Sequence, residues 1–174
     1  MFDLKNKRVL LTGASGGIGT SILETMLKAN AKVVITGTSE KKLSNLVNTS
    51  SSDVQYIPYN LSNIDNVASL VSQAMDMLNG NIEILINNAG IAKDSLAMRM
   101  KTEDWLDVIN INLNSTFFIT KEVIKGMLKQ RFGRIINISS IIGITGNIGQ
   151  SNYSASKAGL IGMTKSLALE VAKR

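Results

Sequence analysis

Three side chains towards the end of the sequence could together transfer a proton. Tyr153 and Lys157 stand at positions i and i+4 of the segment YSASK, and residues with that spacing share one face of a helix. A cation beside a phenol stabilises the phenolate, so Tyr153 could donate and accept a proton near neutral pH. Ser140 could donate a hydrogen bond to a carbonyl oxygen on which negative charge develops. The alternative is that Tyr153 and Lys157 form a surface pair and that Ser140 is a turn residue.

A glycine-rich segment near the start could hold a phosphate. The residues TGASGGIG at 12–19 follow an apolar run and precede a helical pattern. Gly13 would allow a tight turn, Gly17 would let the backbone approach a pyrophosphate, and Gly19 would let the following helix pack closely. The N–H groups and the positive dipole end at the start of that helix favour an anion. This context indicates dinucleotide binding, with a purely structural glycine turn as the alternative.

The residues after the second predicted strand bear on which dinucleotide is bound. An acidic residue at that strand end would bind a ribose 2′-hydroxyl and repel a 2′-phosphate. Here the segment reads Gly37-Thr38-Ser39, and Lys41 and Lys42 follow shortly after it. The sequence therefore predicts NADP(H), although no arginine stands in the glycine loop.

The composition narrows the chemistry further. The chain has no histidine and no cysteine, so acid–base work must fall to Tyr, Lys, Asp or Glu, and no metal site is expected. No stretch approaches the roughly 18 apolar residues of a membrane span, and no apolar leader is visible, so we expect a cytoplasmic protein. The formal net charge of +6 could serve an acidic partner. The basic residues are scattered, however, which a solvated surface explains more simply and which does not require nucleic acid.

Alternating strands and helices must position these residues. The predicted strands are 8–12, 31–36, 54–59, 82–87 and 134–139, and the predicted helices are 17–29, 40–47, 63–78, 102–131 (one helix or two) and 153–174. Continuous apolar strands separated by helices predict a doubly wound parallel sheet, the Rossmann-like α/β fold, as one domain over residues 1–174. Pro58 cannot donate a ladder hydrogen bond, so the third strand should lie at an edge, as it does in the strand order 3-2-1-4-5.

With these motifs in place, the sequence resembles the short-chain dehydrogenase/reductase family over residues 1–174. The matching residues are the glycine loop 12–19, Asn60-Leu61, Asn87-Asn88-Ala89-Gly90, Ser140, and Tyr153 with Lys157. Within the family it is most similar to the bacterial 3-oxoacyl-[acyl-carrier-protein] reductases, through NAGI at 88–91, LAMRMK at 96–101, GRIINISS at 133–140, GQSNY at 149–153 and KAGLIG at 157–162. The resemblance implies NADPH-dependent reduction of a 3-oxoacyl thioester on acyl carrier protein, in fatty-acid synthesis.

The resemblance also assigns roles to single residues. Ser140, Tyr153, Lys157 and Asn112 would be catalytic, and Ser140 and Tyr153 would contact the substrate. Asn112 would be a helix-breaking residue that positions a water linking Lys157 to a proton relay. Arg131 and Arg174 would engage the acidic carrier protein, and the helices at 103–130 and 153–174 would build oligomer contacts, usually of a tetramer. The cofactor would be held by Gly13, Ser15, Gly16, Gly17, Ile18, Gly19, Thr38, Asn60, Leu61, Asn87, Ala89, Gly90, Tyr153 and Lys157.

The same resemblance implies that further sequence follows residue 174 in related enzymes. They continue with two more strands, a Pro-Gly loop over the nicotinamide and a substrate lid, so we expect the fifth strand to be an exposed apolar edge. The chain would then be a partial sequence of a longer reductase or a truncated product with little activity. Two other functions stay open: a relative acting on another ketone or alcohol, such as acetoacetyl-CoA, and an inactive truncated binding subunit.

Overall fold

Five short apolar strands form a parallel sheet in the order 3-2-1-4-5, as the sequence predicts. The computed structural model describes residues 3–50 and 53–174. The strands are β1 (Arg8–Thr12), β2 (Lys32–Gly37), β3 (Val54–Pro58), β4 (Ile84–Asn87) and β5 (Arg134–Asn137). The helices are α1 (Gly17–Lys28), α2 (Glu40–Thr49), α3 (Val67–Met77), α4 (Thr102–Ile109), α5 (Ser115–Gln130), α6 (Ile142–Thr145) and α7 (Ser151–Val171), with 3₁₀ turns at Ile64–Asn66 and Ala97–Arg99.

Helices cover the sheet on both faces, so the strands are apolar throughout instead of alternating. Along each strand, successive side chains enter different layers of the core. Leu10, Val34 and Leu85 pack with α3 and α5 in one cluster, and Val9, Val33 and Ile84 pack with α1 and α2 in the other. The Rossmann-like, doubly wound architecture predicted from the sequence is confirmed.

The long helical segment is continuous but not uniformly α-helical. Between α4 and α5, the residues Asn110–Asn114 form a π-helical turn. Asn112 lies in this turn, where the regular α-helix is interrupted by a wider turn and then resumes. The wider turn is stabilised because the Asn112 side chain bonds to the backbone of Ile91, with Nδ2 donating to the carbonyl at 2.9 Å and Oδ1 accepting from N–H at 2.8 Å.

Other element boundaries differ by one to three residues from the predicted ones, and α6 was not predicted. The largest strand differences are two residues, since β5 ends at Asn137 instead of residue 139 and β4 begins at Ile84 instead of residue 82. Glu83 bends the chain there, because its carboxylate accepts from the Lys7 ammonium at 2.9 Å and from the Arg8 N–H at 3.2 Å. The predicted helix from residue 63 begins instead as the 3₁₀ turn, and α3 follows it.

The two edge strands differ in how they are protected. β3 carries Pro58 at its exposed end, as expected for an edge strand. β5 pairs with β4 alone within the described residues, and its Ile136 side chain is 45% exposed. The prediction of an exposed apolar edge at the fifth strand is therefore confirmed for the chain as described.

A row of polar side chains crosses the centre of the molecule beneath β4 and β5. Asn87 Nδ2 donates to Thr120 Oγ1 of α5 at 3.2 Å and to Asn137 Oδ1 at 2.8 Å. Asn137 Nδ2 in turn donates to Thr164 Oγ1 of α7 at 2.8 Å. These bonds tie both strands to the two helices below them. Across residues 3–50 and 53–174, no helix combines the length and apolarity needed to cross a membrane.

Candidate active site and cofactor cleft

The glycine loop is packed so closely that two of its glycines cannot carry a side chain. Gly13 has φ of 67°, and a Cβ there would lie 2.6 Å from the Ala89 Cα. A Cβ on Gly19 would lie 2.2 Å from the Gly13 carbonyl oxygen and 2.8 Å from the Ala14 Cα. Both contacts are with backbone, which cannot rotate away. The roles predicted for the turn and for close helix packing therefore have a direct steric cause.

The loop after β4 is bound directly to the glycine loop. Asn88 Nδ2 donates to the carbonyls of Thr12 at 3.1 Å and Gly13 at 2.9 Å. The Thr12 hydroxyl, buried at the end of β1, accepts from the N–H groups of Asn88 and Ala89, both at 3.1 Å. The two loops that follow the central strands are thus held together at the carboxyl edge of the sheet, where ligands of such folds bind.

A cleft of about 380 Å³ opens between these loops. Eleven of the fourteen predicted cofactor residues line it: Gly13, Ser15, Gly16, Gly17, Ile18, Gly19, Thr38, Asn60, Leu61, Ala89 and Gly90. Gly37, Tyr59, Asn88, Ile91 and Ile111 also line the cleft and were not assigned from the sequence. Asn88 could have been found, because it belongs to the same NNAG motif as Asn87; Ile91 and Ile111 carry no local signal.

The start of α1 fits the phosphates of a dinucleotide. Gly16 is the N-cap, no acidic residue stands in the first turn of α1, and the first N–H groups of a helix have no partner within it. Beyond the helix's own backbone, no described atom lies within 4 Å of the position that a Cβ on Gly17 would take. No contact within residues 3–50 and 53–174 therefore requires glycine here, whereas a bound pyrophosphate would use that open space.

The strand end beside the cleft carries no carboxylate. Gly37 ends β2, and Thr38 follows it with an exposed side chain. The hydroxyl of Ser39 is used as the N-cap of α2, where it accepts from the Lys42 N–H at 3.4 Å. Lys41 and Lys42 are exposed on the first turn of α2. The charge at this end of the cleft is therefore compatible with a 2′-phosphate.

Lys157 of α7 adjoins the cleft and bonds to the segment that follows β5. The residue is 4% exposed, and its ammonium donates to the Ile138 carbonyl at 2.7 Å. A Cβ on Gly90 would lie 3.6 Å from Lys157 Nζ and 3.3 Å from Asn112 Oδ1, so both side chains adjoin the lining of the cleft. Burial lowers the pKa of the Lys157 ammonium below its ordinary value, because removal from water disfavours the charged form.

Tyr153 lies on the same helix as this lysine, and Ser140 lies in the segment that follows β5. Lys157 Nζ lies 5.7 Å from the centroid of the Tyr153 ring, one helical turn away on the same face of α7. The Ser140 hydroxyl accepts from the Ile142 N–H at 3.2 Å. Ser139 Oγ donates to the Lys157 carbonyl at 3.1 Å, which holds the end of β5 against α7. Tyr153 and Lys157 thus lie close together, and the segment that carries Ser140 is joined to their helix through Ser139.

The short helix α6 fixes the segment that follows Ser140. Ser154 Oγ of α7 donates to the Ile142 carbonyl at 2.7 Å. A Cβ on Gly143 would lie 2.8 Å from the Ala158 nitrogen, so α6 and α7 touch backbone to backbone. Both contacts come from residues near the predicted catalytic residues Ser140 and Tyr153, yet the spacing of the sequence reveals neither contact.

Two predicted groups lie away from the cleft. Asn87 is 3% exposed and belongs to the polar row beneath the sheet, because side chains alternate along β4 and Asn87 shares the face of Leu85. The structure thus does not bring Asn87 to the cleft lining. Arg131 and Arg174 both line a separate groove of about 440 Å³ between α5, β5 and α7. In the described part of the chain, no three acidic side chains gather as they would around a metal ion.

Comparison with known proteins gives a consistent picture. The chain is 51% identical over its whole length to a 3-oxoacyl-[acyl-carrier-protein] reductase of Rickettsia typhi, of which it covers 70%. It is 48% identical over its whole length to nodulation protein G of Rhizobium sp., of which it covers 71%. It is 45% identical over 99% of its length to a 3-oxoacyl-[acyl-carrier-protein] reductase of Salmonella typhimurium, covering 70% of that protein. Residues 7–174 match the family model of the short chain dehydrogenases, and the chain therefore belongs to that family of oxidoreductases.

Proposed function

We propose that this oxidoreductase reduces 3-oxoacyl-[acyl-carrier-protein] to the 3-hydroxyacyl product with NADPH, in fatty-acid synthesis. The observation that carries the proposal is the position of the Lys157 ammonium, which adjoins Gly90 of the dinucleotide cleft while lying one turn from Tyr153. This arrangement joins a cofactor site to a proton-transfer group. The reductase names of two of the relatives above supply the substrate class.

Each catalytic side chain has a separate task in the proposal. NADPH, when bound, supplies the hydride that the carbonyl carbon of the substrate requires. The Ser140 hydroxyl donates to the substrate oxygen and stabilises the charge that develops there. The Tyr153 hydroxyl gives that oxygen its proton, and the Lys157 ammonium stabilises the phenolate that remains. Asn112, fixed in the π-helical turn, belongs to the same group as the proposed partner in proton relay.

The preference for NADP(H) over NAD(H) rests on charge. Gly37 stands where an acidic residue would repel a 2′-phosphate, and Lys41 and Lys42 are near enough in sequence to attract one.

Acyl carrier protein as partner is supported by Arg131 and Arg174, which share one groove. A tetramer is supported by the exposed apolar side chains of Trp105, Leu106 and Phe117 on α4 and α5. The open edge of β5 supports the further proposal that the domain 1–174 belongs to a longer reductase whose sheet continues beyond β5.

The proposal is tested by measuring NADPH oxidation with the same 3-oxoacyl group carried on acyl carrier protein and on coenzyme A. We expect turnover of the carrier-protein thioester, and loss of that turnover in Tyr153→Phe while the variant still binds NADPH. Tyr56→Phe is the matched control, since Tyr56 lies in β3 and away from the cleft. Retained turnover in Tyr153→Phe would show that another group protonates the product, and equal use of the coenzyme A thioester would favour a relative acting on other ketones.

A further inference from the structure

A fully buried asparagine directly precedes Tyr153. Asn152 is the second residue of α7 and is 0% exposed, whereas Ser151 before it is exposed and Tyr153 after it is partly exposed. Asparagine is a poor helix former and is seldom fully buried, because its carboxamide must find partners for two donors and an acceptor. Its burial at the start of the catalytic helix therefore calls for a specific set of bonds.

The carboxamide of Asn152 joins three separate segments. Nδ2 donates to the Lys93 carbonyl at 2.9 Å, in the loop after β4, and to the Asp104 carbonyl at 3.4 Å, in the first turn of α4. Oδ1 accepts from the N–H of Tyr153 at 2.7 Å. One side chain thus connects the backbone that bears Tyr153 to the loop 91–101 and to α4.

The same loop is braced from its other side by charge. The Lys93 ammonium lies 2.9 Å from Asp104 Oδ1 and 2.8 Å from Asp107 Oδ2. These hydrogen bonds, with Asp107 contributing most, raise the pKa of Lys93, so the ammonium stays charged. The charged groups are partly exposed and fasten the loop to α4 only. Asn152 provides a buried link from this assembly to α7, and Asn112, whose Nδ2 donates to Ser156 Oγ at 3.1 Å, provides another through the π-helical turn.

The loop 91–101 continues directly from the cleft wall formed by Ala89, Gly90 and Ile91. Its position relative to α7 therefore sets the distance between the cofactor cleft and the Tyr153 hydroxyl. A second link, from the Gln150 amide to Asp94 at 2.9 Å, crosses the same seam but lies at the surface. Water can replace a surface bond of this kind, whereas it cannot easily reach the buried one.

We propose that Asn152 is a positioning residue that holds Tyr153 in register with the cofactor cleft through its two Nδ2 donors. This inference rests on the proposed function, because it assigns Asn152 to the geometry of the same proton transfer. Asn152→Ala removes the donors and leaves the Lys93 carbonyl without this partner. We expect kcat to fall by about 10–100-fold, the range for a misplacement on the order of 1 Å, while the KM for NADPH changes less.

A conservative variant separates positioning from packing. Asn152→Asp keeps the shape and the acceptor for Tyr153 N–H, but its carboxylate turns an oxygen towards two carbonyl oxygens. Protonation would restore one donor, and burial raises the pKa of a carboxyl group. The kcat of Asn152→Asp, divided by that of the wild type at the same pH, should therefore rise as the pH falls. Asn152→Ala should show no such recovery, and Gln150→Ala, the matched control at the surface of the seam, should keep kcat within about twofold.

Hydrogen exchange of the 174-residue chain gives a readout that needs no turnover. Asn152→Ala should speed amide exchange in residues 91–101 and at the start of α7, with little change in β1 and β2. The inference would be overturned if residues 91–101 of Asn152→Ala exchanged their amide hydrogens at the same rate as in the wild type. An unchanged kcat, or uniformly faster exchange across all elements, would overturn it too. If the wild type itself fails to oxidise NADPH with the carrier-protein thioester, the proposed function fails, and the exchange experiment still decides whether Asn152 holds the seam.

Discussion

The two glycines that begin α1 should respond to the same substitution in opposite ways. Gly17→Ala adds a methyl group where no described atom outside the helix backbone lies within 4 Å, whereas Gly19→Ala places one 2.2 Å from the Gly13 carbonyl oxygen. If Gly17 is glycine for the sake of a bound pyrophosphate, its alanine variant should fold normally and bind NADPH poorly. If Gly19 is glycine for internal packing, its alanine variant should be destabilised before any ligand is added.

The magnitudes follow from the contacts. Replacing glycine by alanine in a compatible helical position stabilises by about 0.4–1 kcal/mol, and about 2–4 °C of Tm accompanies each kcal/mol in a domain of this size. Gly17→Ala should therefore raise the Tm of the free protein by about 1–4 °C. Overpacking costs about 1–3 kcal/mol, so Gly19→Ala should lower that Tm by about 2–12 °C.

Ligand binding is measured by the rise in Tm with NADPH. At a concentration of about 100 times Kd, a ligand that binds the native state stabilises it by about 2.7 kcal/mol, which is a rise of about 5–11 °C. A tenfold weaker Kd in Gly17→Ala reduces this to about 1.4 kcal/mol, or a rise of about 3–6 °C. A full wild-type response in Gly17→Ala would refute the assignment of this cleft to the pyrophosphate, and an unchanged Tm in Gly19→Ala would refute the packing argument.

Two further predictions concern the edge strand and the buried lysine. Ile136→Lys places a charge on the exposed edge of β5 and should raise the protein concentration at which light scattering begins. Leu169→Lys, the control at an exposed helical site, should leave that concentration unchanged. Equal effects of the two substitutions would mean that the β5 edge does not drive association. Lys157→Met should abolish turnover yet raise the Tm at neutral pH, because burial lowers the pKa of Lys157 and makes its charged form costly in the folded state. The free-energy cost of burying the Lys157 charge is fully present below the pKa of Lys157 in the folded protein, and it disappears as the pH rises from that pKa to the unfolded value of 10.5. The Tm difference between Lys157→Met and the wild type should therefore shrink over this pH range. A Tm difference that stays constant with pH would contradict the argument.

The fold could be predicted from the sequence because its strongest signals are local. Apolar strands and helical periodicity predicted the doubly wound fold, and the single proline at 58 agreed with the strand order 3-2-1-4-5 of that fold, which the structure confirms. The glycine loop could also be predicted, because its spacing is a local pattern and Gly19 is required by contacts with Gly13 and Ala14 in the same strand–loop–helix unit. The closest contact of Gly13, with Ala89 in the loop after β4, comes from a distant part of the chain.

The remainder depends on contacts between distant parts of the chain. The π-helical turn at Asn110–Asn114 is stabilised by bonds from Asn112 to Ile91, which no periodicity within the helix reveals. Asn87 was expected at the cofactor, but alternation along β4 turns it beneath the sheet, where its partners are Thr120 and Asn137. Asn152 likewise looks like a spacer before Tyr153 until α7 is packed against the loop after β4.

The polar row beneath β4 and β5 also constrains how the chain reaches its native state. A parallel strand that pairs one residue out of register turns every side chain to the opposite face. In β5 the exposed residues Arg134 and Ile136 alternate with the half-buried residues Ile135 and Asn137. A slipped β5 would separate Asn137 from Asn87 and Thr164 and leave the buried amide of Asn87 without that partner. The polar row therefore adds a free-energy penalty for out-of-register pairing of β5, beyond the penalty that hydrophobic burial alone would impose.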